Sequence, residues 1–209
     1  MAKKESYRCS ECGWLSAKWQ GQCRQCQAWG TLAEVGASAG LAKTAVRTPI
    51  QAAQPISQVS AESAQARPSG VGELDRVLGG GIVPGAVILL AGEPGVGKST
   101  LLLTVAANAA RQAKLTGAGS VLYITGEESA SQVRLRAARI DALADNLLLA
   151  AETELGAVLG QVEQANPALL IVDSVQTIAS ADVEGSAGGT SQVRAVAAAI
   201  IALAKERNI

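Results

Sequence analysis

The segment Gly92-Glu93-Pro94-Gly95-Val96-Gly97-Lys98-Ser99 constrains this chain more than any other. Its form, G-x-x-x-x-G-K-[ST], is that of a phosphate-binding loop, and the match becomes an argument only when a strand precedes it and a helix follows. Both are predicted here. Residues 86–91 form an apolar run that reads as a buried strand, and residues 100–114 read as a helix. The loop's glycines permit backbone conformations closed to other residues, so that successive N–H groups turn inward onto phosphate oxygens. The helix adds the positive end of its dipole. Lys98 is the point charge for the β- and γ-phosphates. Ser99 is the hydroxyl for Mg2+, and Thr100 is a second hydroxyl beside it.

The residues downstream extend this pattern. Residues 70–78 read as a short lead-in helix, ended by Gly79-Gly80-Gly81. Strands are predicted over 120–125, 147–150 and 169–172, the last apolar throughout and so buried on both faces. Between them come helices, one opened by the capping-box pattern Ser129–Gln132 and one stopped before Pro167; a final helix spans 191–207. Alternating strands and helices imply an α/β parallel sheet, whose ligands bind beyond the carboxyl ends of the strands. The phosphate loop, Glu127, Glu128 and Asp173 all fall on that edge. Asp173 ends its strand as a Walker B aspartate does, positioned to hold Mg2+ through water together with Ser99. Glu127 is the candidate general base that polarises the water attacking a γ-phosphate; the plainer alternative is that Glu127 and Glu128 only favour a helix N-terminus. Gln176 is a candidate γ-phosphate sensor. The Gly/Ser/Ala-rich segment 179–190 reads as a mobile switch or DNA-contacting loop, and Arg134, Arg136 and Arg139 read as a solvated basic face.

The N-terminal part follows different chemistry. Its cysteines fall as Cys9-x2-Cys12 and Cys23-x2-Cys26, with ten residues between the pairs. Two such knuckles complete a tetrahedron of thiolates, for which Zn2+ is the predicted metal; a redox dithiol or an iron site are the alternatives. A segment of this size builds no adequate core of its own, so metal binding supplies its folding energy. Trp14, Trp19 and Trp29 all lie inside it, either as its small core or as a surface that stacks on bases. Residues 1–35 are thus a zinc module, 36–67 a linker with a short strand near 55–59, and 68–209 the nucleotide-binding domain. The chain has no histidine, which excludes Ser-His-Asp and Cys-His catalysis, and its formal net charge of +0 gives no overall sign of nucleic acid. No apolar run reaches the roughly 18 to 20 residues of a membrane span, and a cytoplasmic protein with reduced or metal-bound cysteines is expected.

The four-cysteine ribbon, Ser69-Gly70-Val71-Gly72-Glu73-Leu74-Asp75-Arg76-Val77-Leu78-Gly79-Gly80-Gly81, the phosphate loop, Tyr123-Ile124-Thr125-Gly126-Glu127-Glu128-Ser129 and Leu170-Ile171-Val172-Asp173-Ser174-Val175-Gln176-Thr177 together closely resemble the bacterial RadA (Sms) DNA repair family. RecA-like and KaiC-like ATPases are its wider kin. The resemblance implies a RecA-like P-loop core after a zinc ribbon, and ATP-dependent processing of branched recombination intermediates. It also implies a homo-hexameric ring on single-stranded DNA, a RecA-type recombinase as partner, and a catalytic glutamate at Glu127. A zinc-ribbon DNA- or protein-binding module with a regulatory KaiC-like nucleotide switch is the competing expectation. The family continues with another core strand, a Lys-Asn-Arg-Phe-Gly motif and a Lon-protease-like domain. In RecA-like sheets the next strand lies between the phosphate-loop strand and the Walker B strand. The chain is therefore expected to be a fragment, or an incomplete gene product, with a sheet incomplete at its C-terminal end and poor hydrolysis alone.

Overall fold

The architecture comes from a computed structural model, which describes residues 7–34, 53–61 and 64–209. Most of the predicted linker lies outside the described residues. The chain divides into two compact units, Met1–Ser57 and Gln58–Ile209.

The first unit is built on two knuckles of the same conformation. After each Cys-x2-Cys pair the chain doubles back. Gly13 N donates to Cys9 O at 3.0 Å and Gln27 N to Cys23 O at 2.9 Å; Cys9 N and Cys23 N donate to the carbonyls of Trp14 and Ala28 at 2.9 Å each. The reversal needs a left-handed residue, Gly13 at φ 74° in one knuckle and Gln27 at φ 60° in the other. Strand β1 (Tyr7–Cys9) lies between β2 (Leu15–Ser16) and β3 (Leu32–Glu34) in an antiparallel sheet, with Arg8 opposite Leu15 and Ala33. Cys9, Cys23 and Leu32 are buried, and Tyr7 and Trp14 pack on them. Trp14 thus belongs to the small core, whereas Trp19 and Trp29 are 64 % and 76 % exposed. The strand expected near 55–59 is instead an exposed 3-10 turn, Ile56–Gln58.

In the second unit α1 (Gly72–Val77) precedes the phosphate loop and α2 (Lys98–Thr116) follows it. Strands β4 (Val121–Thr125), β5 (Leu147–Ala151) and β6 (Leu169–Asp173) form a parallel sheet in the order β5-β4-β6. The intervening helices are α3 (Ala130–Arg139) and α4 (Leu155–Ala165), with α5 (Thr190–Arg207) at the end. All five residues of β4 are buried, as a strand covered on both faces requires. On one face Leu103, Ala106, Ala107 and Ala110 of α2 pack against Val121, Tyr123 and Ile171; on the other Val158, Val162 and Val196 pack against Leu122 and Ile124. The apolar stripes of α2, α4 and α5 are therefore what sandwich the sheet. Register aligns Thr125 with Ala151 and with Asp173, so one edge collects the carboxyl ends of all three strands.

Two expectations fail here for one reason. Residues 86–91 belong to no ladder, and Val87, Ile88 and Leu89 are 45 %, 46 % and 82 % exposed. Strand β6, expected to be buried on both faces, has only Ile171 buried. A strand exists only where a neighbour takes its N–H and C=O groups; in the described sheet β6 is paired on its β4 side alone, and residues 86–91 are paired with no strand. Apolar composition alone does not supply that neighbour. The amides of residues 87–90 in this chain should accordingly exchange with deuterium orders of magnitude faster than those of β4, which hydrogen-exchange mass spectrometry reads directly.

A buried side chain shapes the segment 179–190. The segment is tied down by Gln192, itself 1 % exposed on α5. Gln192 Oε1 accepts from Ser180 N at 2.8 Å, and Nε2 donates to Ser180 O at 3.1 Å, Gly185 O at 3.1 Å and Val183 O at 2.5 Å. An amide has two N–H protons, so three carbonyls share them, and the glycines shape a fastened turn over 180–185.

Candidate functional site

The phosphate loop presents backbone donors to solvent. Gly95 and Gly97 take left-handed φ of 82° and 95°, and Gly97 is the N-cap of α2, with no side chain capping it. The first intrahelical bond runs from Leu101 N to Gly97 O at 2.9 Å. The N–H groups of Lys98, Ser99 and Thr100 therefore lack intrahelical acceptors, an arrangement that fits phosphate oxygens. Lys98 Nζ reaches back over the loop to Gly92 O and Glu93 O, 2.8 Å each.

Across the carboxyl edge, the turn after β4 and the turn after β6 are interlocked. Gly126 N donates to Asp173 O at 3.0 Å. A Cβ on Gly126 would lie 2.0 Å from Thr177 Oγ1, so only glycine fits there. Thr177 Oγ1 in turn donates to Ser174 O at 2.8 Å. Buried Thr125 fastens the turn from the other side, its hydroxyl donating to Glu128 O at 3.0 Å and accepting from Glu128 N at 3.2 Å. The Asp173–Ser174 peptide is cis.

On this frame the two adjacent glutamates part company. Glu128 turns to α3 and forms an ion pair with Arg136 at 2.5 Å, both side chains about a third exposed or less. Arg136 is therefore engaged with Glu128 and is not one of a freely solvated row. Glu127 is exposed and crosses the edge, its Oε1 accepting from Ser174 Oγ at 2.7 Å. Asp173 Oδ2 accepts from Tyr123 OH at 2.7 Å. Burial first, and then the Asp173 carboxylate, push the Tyr123 phenol well above its ordinary range, so it stays a donor. Gln176 lies exposed on the 3-10 turn Val175–Thr177. Ser174, Thr177, Tyr123 and Gln192 escaped the sequence reading. Tyr123 had left a signal, being the one aromatic residue after Trp29.

The four sulfurs of the N-terminal unit converge within 4.8 Å of one another. Cys9 and Cys26 lie 3.7 Å apart, and Cys12 and Cys23 lie 3.6 Å apart. Disulfide sulfurs are about 2.05 Å apart, whereas thiolates about 2.3 Å from one zinc ion form a tetrahedron with edges of roughly 3.8 Å. The donor set therefore fits one tetrahedral metal. Cys9 Sγ is 3.2 Å from Thr31 Oγ1. Hydrogen bonding with that hydroxyl, then with the Cys12 backbone, holds the Cys9 thiol down from 9.0 to about 6 against desolvation. Cys12 and Cys26 shift the other way: against backbone hydrogen bonds at Trp14 and Ala28, desolvation and the neighbouring sulfurs push both thiols up. Protons and a metal ion therefore compete for the same four sulfurs, and metal occupancy should fall as the solution is acidified, measurable by metal release to a colorimetric chelator.

Residues 52–209 match the family model of the AAA domain. This chain belongs to the AAA domain family. Ahead of the AAA domain, residues 7–34 match the model of a rubredoxin metal binding domain, in agreement with the four-sulfur cluster. Nearly the whole chain is also similar to proteins named DNA repair protein RadA. It is 50 % identical over 210 residues to that of Mycobacterium tuberculosis (strain ATCC 25618 / H37Rv), covering 99 % of this chain and 43 % of the relative. It is 42 % identical to that of Listeria monocytogenes, covering 96 % and 43 %, and 40 % identical to that of Escherichia coli (strain K12), covering 100 % and 46 %. The chain spans under half the length of these relatives. The resemblance drawn from the motifs therefore holds across the AAA domain and the cysteine ribbon alike. No described helix is long and apolar enough to cross a membrane.

Proposed function

We propose that the chain carries the nucleotide site of a DNA-stimulated ATPase of recombinational repair, a RadA-type ring motor that processes or branch-migrates recombination intermediates. The observation that supports this most is the carboxyl edge, where Asp173 and Glu127 come together through Ser174 in a chain whose α2 opens with a phosphate loop.

In this reading residues 92–100 bind ATP. Lys98 exchanges the Gly92 and Glu93 carbonyls for β- and γ-phosphate oxygens. Ser99 and Asp173 hold Mg2+, which when bound neutralises charge on the phosphate oxygens. Tyr123 orients the Asp173 carboxylate by donating to its Oδ2. Glu127 takes the proton of the attacking water, and Gln176 reads the γ-phosphate and passes its state to the segment 179–190. Cys9, Cys12, Cys23 and Cys26 hold Zn2+. The partners are single-stranded or branched DNA, a RecA-type recombinase and further copies of the chain in a hexamer, in the cytoplasm. Exposed Trp19 and Trp29 favour a second reading, a ribbon that binds DNA or protein beside a regulatory nucleotide switch.

Hydrolysis by the full-length protein with and without single-stranded DNA separates the two. The motor reading expects a DNA-stimulated rate that Lys98→Ala and Glu127→Gln each remove. A DNA-independent rate unmoved by either substitution would overturn it and support the switch.

A further inference from the structure

We infer that Ser174 is the positioning residue for the Glu127 carboxylate, aiming it from the segment that carries the metal-binding aspartate. The inference rests on the reading of Glu127 as general base.

Glu127 is exposed, and an exposed glutamate samples many rotamers, whereas general-base catalysis requires its oxygen within hydrogen-bond reach of one water. The backbone around it is already fixed. Thr125 grips Glu128 at both its N–H and its C=O, Gly126 N is bound to Asp173 O, and Thr177 sits where a Cβ on residue 126 would be. Neighbouring Glu128 is held by Arg136, so that arginine is engaged elsewhere. What aims the Glu127 side chain is the Ser174 hydroxyl, donating to Oε1 at 2.7 Å, within the range of a charge-assisted O–H to carboxylate bond. Oε1 is thereby engaged, and Oε2 is left to accept a proton. Ser174 is itself located by Thr177 Oγ1 on its carbonyl. It follows Asp173 directly, so a displacement of the metal-binding aspartate moves the hydroxyl that aims the base. The consequence is that base and metal ligand are set by one short segment.

The test uses the full-length protein with single-stranded DNA. Ser174→Ala should lower kcat by about tenfold or more, leave the KM for ATP and the unfolding midpoint nearly unchanged, and add little further loss in a Glu127→Gln background. Ser174→Thr, which restores a hydroxyl, should recover most of the rate. An unchanged kcat in Ser174→Ala, or an equal loss in both backgrounds, would overturn the inference while leaving Glu127 as base. Should Glu127→Gln alone retain the full rate, the general-base reading fails and this inference fails with it.

Discussion

Glu127→Gln is expected to lower kcat for ATP hydrolysis by about 10²–10⁴-fold while ATP affinity stays nearly unchanged. Glutamine keeps the size of the side chain and an oxygen that accepts from Ser174, so the interlocked turns persist. What is lost is the capacity to take a proton from water. A group that acts only in the transition state lowers kcat and kcat/KM together and leaves ground-state binding alone. Glu128→Gln makes the instructive contrast. It removes the charge that pairs with Arg136 between the β4 turn and α3, so its effect should appear mainly in the unfolding midpoint. Steady-state kinetics and thermal unfolding on the two variants would show whether adjacent, chemically identical side chains divide the work as their contacts indicate.

The second large effect is expected from metal removal. The ribbon has strands of two and three residues and a core of Cys9, Cys23 and Leu32 with Tyr7 and Trp14 beside it, too little apolar surface to offset the entropy of ordering the segment. Zinc binding in comparable small domains supplies about 10–16 kcal/mol. Stripping the metal, or making Cys23→Ser, should therefore unfold this unit. The readout is unusually clean, because Trp14, Trp19 and Trp29 are the chain's only tryptophans and all lie in the ribbon. Their emission should shift to the red as Trp14 loses its packing. The helical circular dichroism should hardly change, because helices α1 to α5 all belong to the other unit. Unchanged emission in a sample shown to be metal-free would mean that the ribbon folds without its ion.

What was legible in the sequence is what local chemistry determines. The glycine-rich loop, the Ser129–Gln132 capping box and the Cys-x2-Cys spacings each specify a local geometry, and each appears as read. The carboxyl edge was legible too, since parallel connectivity places Thr125 beside Asp173. Residues 86–91 were not legible, because an apolar run becomes a strand only beside a partner distant in sequence. The same holds for side-chain pairs with long separations. Ser174 and Glu127 are 47 residues apart and Tyr123 and Asp173 are 50 apart; nothing in either local sequence announces the partner. Gln192 was hidden for another reason. A helical stripe is read from apolar residues, and a buried amide within it looks like a surface residue until its partners in 180–185 are seen.

The loop ending in Lys98 and Ser99, with Asp173, is expected to grip a nucleoside triphosphate and its magnesium. Isothermal titration of the folded, full-length protein with ATP and Mg2+ tests it most directly. Saturable binding is expected, weakened by at least about tenfold in Lys98→Ala through loss of a charge-assisted contact, and weakened again when Mg2+ is withheld. No saturable binding by a protein whose helical circular dichroism is intact would contradict the account.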